Sequence, residues 1–210
     1  VNGKQVHFNN PREAIADGIA VIYQERQIML QLTVAENIFL GRLPVGAFGH
    51  VKFAEINKKT QEIIDEFGLD MKATDKVKDL STAYQQMVEI MKAYSRENLK
   101  IIAFDEPTAS LSDAEIEGLF RIIRKLKAEG KVIIYVSHRM AEIRQIADRV
   151  AIFKDGRFVD DSKVCDITDE ELIAKMVGRD LGNVFSSLDR NKTIGDVVLE
   201  VKNAESPYIK

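Results

Sequence analysis

Two adjacent carboxylates, Asp105 and Glu106, close the apolar run Ile101-Ile102-Ala103-Phe104 and are followed at once by Pro107 and Thr108. A short apolar run bounded by breakers predicts a buried strand of a parallel sheet. Acids at the carboxyl end of such a strand stand where open α/β sheets bind ligands. Paired there, they suit hydrolysis of a nucleoside triphosphate: Asp105 would hold magnesium, through water, and Glu106 would polarise the attacking water. Two more apolar runs end in polar groups, 19–23 in Gln24 and 132–136 in Ser137-His138. Taken singly, Gln24 or His138 reads as a solvated strand end. If the three strands are parallel, however, the groups converge on one rim. Gln24 then reaches the metal or the water, and His138 donates to the γ-phosphate.

A fourth stretch, Leu80-Ser81-Thr82-Ala83-Tyr84, opens an amphipathic helix. Its free backbone donors and positive dipole end favour an anion at Ser81, Thr82 and Ala83. In isolation the same residues read as an ordinary serine cap, and only their place shortly before the acid pair favours the anion.

These groups need a scaffold. Asn10-Pro11-Arg12-Glu13 predicts a short helix stopped by Gly18. From Thr33 to Tyr94 the apolar period is helical, with helices expected at 33–40, 54–67 and 81–95. That block reads as a helical subdomain inserted between the strands 19–23 and 101–105. An α/β rhythm resumes with a helix at 113–129, boxed by Ser112 and Glu115 and stopped by Gly130, and a helix at 139–147. A hairpin follows over 149–160, turning at Asp155-Gly156, and then a helix from Thr168-Glu171 to Gly178. Alternation around Asn2-Gly3 predicts a further hairpin over 1–8. Residues 180–196 read as a linker, and 197–203 as the opening strand of something further.

The 210 residues carry a net charge of −3, with a sequence pI near 5.7. That balance gives no support for nucleic acid as the main partner. One cysteine, Cys165, cannot form an internal disulfide, which suits a reducing compartment. No apolar run reaches the length of a membrane span.

In order and spacing, Gln24, Leu80-Ser81, the Ile101–Leu111 stretch and Val136-Ser137-His138 resemble the ATP-binding-cassette ATPases. More narrowly, Thr33-Val-Ala-Glu-Asn-Ile-Phe-Leu-Gly41, Gln86-Met-Val-Glu-Ile90, Ser137-His-Arg-Met140 and Met176-Val-Gly-Arg179 look like ATPase subunits of monosaccharide importers. The resemblance implies an α/β P-loop NTPase-like core, mostly parallel sheet with flanking helices, over residues 1–180, with the helical subdomain at about 33–95. It implies ATP and Mg2+ as ligands and a second cassette as partner. It further implies transmembrane permease subunits, a sugar-binding protein reached indirectly, and a cytoplasmic, peripheral place on the inner face of the cell membrane. Matched residue by residue, Gln24 is the Q-loop, Ser81 with Thr82 and Ala83 the signature, Asp105 and Glu106 the Walker B pair, and His138 the switch histidine. In that reading Asp105 and Gln24 serve the metal, while Glu106, His138 and Gln24 serve the reaction.

Two departures matter. The family's signature is Leu-Ser-Gly-Gly-Gln, and Tyr84 is bulky where glutamine is expected. The phosphate loop, two glycines five apart followed by Lys and Ser or Thr, occurs nowhere in residues 1–210. The family places that loop ahead of the Q-loop. The chain is therefore expected to be a piece of a longer protein, inactive alone, with 181–196 as linker and 197–210 as the start of a second cassette. A missing strand is expected beside the one ending in Asp105, baring apolar surface on 101–105 and 132–136, so that the chain either self-associates through the gap or rearranges its sheet. The rival readings are a degenerate, noncatalytic cassette and a cassette ATPase acting on ribosomes or DNA.

Overall fold

The structure is a computed structural model that describes Val1 and residues 3–177. The expected linker and second-cassette strand lie outside the described residues, as does Asn2. The chain divides into two compact units, Val1–Asp148 and Arg149–Lys210.

In the first unit, helix α1 (Pro11–Ala16) starts at Asn10, whose side-chain oxygen accepts from the Glu13 amide. Strand β1 (Ile19–Ile22) follows. Then come α2 (Val34–Ile38), α3 (Phe53–Phe67) and α4 (Thr82–Tyr94), with no named strand among them. A reciprocal capping box between Thr33 and Glu36 opens α2, and Gly68 in left-handed conformation stops α3. Strand β2 (Ile101–Asp105), helix α5 (Asp113–Ala128), strand β3 (Val132–Val136) and helix α6 (Met140–Ile146) complete the unit.

The three strands form one parallel sheet in the order β1-β2-β3, with Ile22 opposite Phe104, Phe104 opposite Tyr135, and Asp105 opposite Val136. One face is closed. Ile102 and Phe104 are fully buried with Leu119, Phe120 and Ile123 of α5, and the Phe104 and Phe120 rings flank Tyr135 at 6.2 and 6.3 Å. The α2–α4 layer adds Val34, Ile38, Ile56, Ile64, Ile90 and Met91 to the same core. Each such side chain contributes about 1.5–3 kcal/mol by leaving water.

The other face is open. Val21, Val132, Ile134 and Val136 are 44, 56, 50 and 50% exposed, although parallel sheets normally bury both faces. Bared apolar surface was expected on 101–105 and 132–136; it lies on 132–136 and at Val21, while Ile102 and Phe104 are buried and Ile101 and Ala103 half-buried. The strand ending in Asp105 lacks no neighbour: β2 is hydrogen-bonded to β1 on one side and to β3 on the other. Among the described residues, the unpaired edges of this sheet belong to β1 and β3.

The hairpin expected over 1–8 does not form among the described residues. Val1 and Lys4 exchange two hydrogen bonds, of 2.6 and 2.9 Å, across a turn. Residues 4–8 then run without strand pairing, and a two-stranded ribbon with no sheet to lie on is marginal in water.

In the second unit, β4 (Arg149–Lys154) and β5 (Arg157–Lys163) pair antiparallel around Asp155 and Gly156, both at positive φ, as a type I′ turn requires. Helix α7 (Asp169–Val177) starts where Thr168 and Glu171 exchange side-chain bonds. Among this unit's described residues, Ile152, Val164, Ile167 and Leu172 are the buried apolar ones. Among the described residues no helix is long and apolar enough to cross a membrane.

Candidate active site

Because β1, β2 and β3 are parallel, their carboxyl ends lie on one rim. Asp105 is the last residue of β2 and is exposed there. Glu106 follows with φ +43, one of three non-glycine residues in the left-handed region among the described residues, and its amide donates to Val136 O at 3.0 Å. That region costs a non-glycine residue about 1–2 kcal/mol. Strain of this kind gathers where a side chain must be aimed. The aim is toward His138: its Nδ1 lies 3.0 Å from Glu106 Oε1. A carboxylate oxygen only accepts, so this contact needs the proton on Nδ1. His138 is 70% exposed and Glu106 34%, leaving both open to a ligand at the rim.

Gln24, two residues past β1, lines a cleft of about 560 Å³ with Glu25, Arg26, Gln85, Ala109 and Ser110. The loop after Glu106 thus meets the loop after β1. That second loop is also fixed from the helical side. Buried Asn37 accepts from the Met29 amide at 2.7 Å and donates to Met29 O at 2.9 Å, and buried Glu89 accepts from the Gln27 amide. Burial raises the Glu89 carboxyl above its ordinary value, against the opposing pull of that amide and of the Lys92 and Arg26 charges.

Gln85, in the first turn of α4, lines the Gln24 cleft, while Ser81, Thr82 and Ala83 do not. Ser81 caps α4, accepting from the Tyr84 amide at a long 3.4 Å, and is exposed. Ala83 is 4% exposed, so its methyl packs inward. An anion arriving here would meet backbone amides and the Ser81 and Thr82 hydroxyls. The structure joins Glu106 to His138 and sets Gln24 against the loop that follows them, and none of these contacts involves Ser81, Thr82 or Ala83.

Magnesium takes few protein ligands, usually one or two carboxylates, and completes its shell with water and phosphate oxygens. Asp105 is exposed, and its carboxylate and the Gln24 side-chain oxygen are donors of the kind that demand calls for. Among the described residues no three acids, histidines or cysteines cluster as a metal cage, and a magnesium shared with phosphates needs none.

One residue was missed from the sequence. Glu142 of α6 is 4% exposed. It accepts from Thr108 Oγ1 at 2.7 Å, Tyr135 OH at 2.9 Å and Ser137 Oγ at 2.9 Å, and pairs with Arg139 at 2.8 Å. Burial pushes its carboxyl up, but the three hydroxyls and the Arg139 charge more than offset this and leave it below the ordinary value. Its hydroxyl partners are spread from Thr108 to Ser137, so no local pattern marked it.

Residues 1–109 match the ABC transporter family. The chain is 48% identical over 202 residues to the arabinose import ATP-binding protein AraG of Mannheimia succiniciproducens, covering 96% of this chain and 39% of that protein. It is 42% identical over 204 residues to the ribose import ATP-binding protein RbsA of Halalkalibacterium halodurans, covering 97% and 40%. The chain therefore spans about two fifths of the length of these curated relatives. In fold it is similar to an inward-facing metal-chelate type ABC transporter, with TM-score 0.64 at 18% identity over 77% of this chain and 64% of that one. A dimeric ATP-binding cassette in a post-hydrolysis state, bound to ADP and Pi, gives TM-score 0.60 at 26% identity over 74% and 68%.

Proposed function

We propose, since this chain belongs to the ABC transporter family, that it is the rim-bearing part of an ATPase that drives monosaccharide import. The observation that carries this reading is the Glu106–His138 contact beside Asp105 on the rim of three parallel strands. Glu106 accepts a proton from the attacking water. His138 donates through Nδ1 to Glu106; a bond from its far nitrogen to the terminal phosphate would need a proton on that nitrogen as well. Asp105 and Gln24 would hold magnesium, which supplies positive charge against the phosphate oxygens as the bond to the leaving group lengthens. The Ser81 helix start, which takes part in none of these contacts, suits an anion brought by a second cassette. The cradle for the remaining phosphates has no motif in these 210 residues, so the chain alone turns over no ATP.

A groove of about 530 Å³ lined by Tyr23, Gln27, Leu40, Glu89, Lys92 and Arg96 supports docking of a transmembrane permease subunit, itself fed by a sugar-binding protein. The protein then sits peripherally on the inner face of the membrane. The open sheet face supports self-association of the chain in isolation.

Glu106→Gln in the complete protein tests the reading. Loss of a general base costs about 10²–10⁴ in rate, so ATP turnover should fall by about 100-fold or more while ATP binding persists. Unchanged turnover would favour a noncatalytic cassette. Tyr84 in the signature and the inward-packed Ala83 are the observations on that side.

A further inference from the structure

Glu106 and His138 sit on two different loops, each leaving a different strand, yet their side chains meet at 3.0 Å. Both side chains are partly or largely exposed, so their own contact cannot hold the loops in register. Beneath them lies a buried carboxylate. Glu142 accepts from Thr108, two residues after Glu106, and from Ser137, one residue before His138. It also accepts from Tyr135 in β3 and pairs with Arg139, while the Arg139 amide donates to Ser137 Oγ at 3.0 Å. The Ser137 hydroxyl is therefore fixed as donor to one group and acceptor from another. A charged acceptor shared by several donors makes short, strong bonds, and losing it would leave buried Thr108 and half-buried Tyr135 and Ser137 unmatched.

We propose that Glu142 is a positioning residue that staples the loop bearing Glu106 to the loop bearing His138 and so sets the spacing of the two groups. The residue touches neither substrate nor reacting atom in this account. Its catalytic consequence rests on the ATPase reading above, but its structural effect does not. A glutamine in its place keeps the volume and one acceptor oxygen, but turns an NH2 toward groups that donate. The two loops then drift, and the His138 Nδ1–H loses its partner.

The test is the imidazole nitrogen spectrum of ¹⁵N-histidine-labelled full-length protein, with His138 assigned through His138→Asn. The wild type should show a protonated, hydrogen-bonded Nδ1. Glu142→Gln and Thr108→Val should shift that signal toward a mixture of tautomers with circular dichroism unchanged. Thr108→Ser, which keeps the hydroxyl, should restore the wild-type spectrum. An unmoved Nδ1 signal in a folded Glu142→Gln protein overturns the proposal, and should that variant fail to fold, Thr108→Val decides in the same way. In a separate arm, turnover by Glu142→Gln should drop about 10- to 100-fold, the range expected of a displacement near 1 Å, with KM changed less than about twofold. A protein that hydrolyses no ATP yet shows the tautomer shift would sink the ATPase reading and leave the staple standing.

Discussion

Replacing Gly18 by alanine would place a methyl carbon 2.1 Å from the carbonyl oxygen of Asn98, well inside the 3.0 Å below which such contacts are essentially not found. The obstacle is main chain, so no side chain can swing away, and the start of β1 must separate from the segment ahead of β2. That junction carries two hydrogen bonds, since Gly18 O accepts from the Lys100 amide at 2.8 Å and from the Ile101 amide at 3.1 Å. Each bond lost costs about 1 kcal/mol, and a side chain at φ +92 adds about 1–2 kcal/mol. The expected loss is about 3 kcal/mol, or a Tm lower by about 6–12 °C for a chain of this size. Gly68→Ala is the control: it also sits at positive φ, +64, but an added Cβ meets nothing within 4 Å. It should lose only the strain, about 1 kcal/mol. Urea and thermal unfolding of both variants measure the difference. Equal losses would refute the collision argument, and a loss under about 1 kcal/mol for Gly18→Ala would show that the strand start gives way freely.

Glu89 predicts a pH effect of definite sign. Its folded carboxyl is raised above the ordinary value, chiefly by burial, so the folded state holds the extra proton. That contribution is complete below the ordinary carboxylate range and is lost as pH rises through the raised folded value. Glu89→Gln should therefore gain on the wild type in urea melts between about pH 4 and pH 8, and a constant difference across that span would contradict the assignment. On the open sheet face, Ile134→Thr should weaken self-association of the isolated chain by about tenfold, because burying such a side chain is worth about 1.5 kcal/mol or more. Sedimentation at several concentrations reads this, and an unaltered profile would place any association elsewhere.

The elements of the first unit were largely legible because local signals agree. Apolar residues ending in Asp105-Glu106-Pro107 gave β2 its bounds, and the Ser112–Glu115 box and Gly130 bracketed α5. Two failures were of different kinds. The alternation over 1–8 is a real strand pattern, but no sheet receives it, and pairing is a tertiary property. The neighbours of β2 were misjudged because strand order is decided by contacts far apart in sequence, such as Ile102 with Ile133. The candidates Gln24, Asp105 and His138 were legible as residues at or just past strand ends because each closes an apolar run. Glu142 was not, because its partners come from positions as distant as Thr108 and none of them forms a motif with it. The left-handed backbone of Glu106 was equally invisible, since nothing in a glutamate predicts positive φ.

The loop that follows β1 owns very little of its own shape. Asn37 grips its backbone at Met29 from α2, and Glu89 grips it at Gln27 from α4. Those helices also pack on each other, so the loop is leashed to them at two points while its near end stays rooted in β1. Any tilt of the helical layer must then be taken up in the few residues around Gln24, between the root and the first leash. A push on α2 or α4 from outside would be converted, at that short span, into a displacement of one amide side chain across the mouth of the cleft.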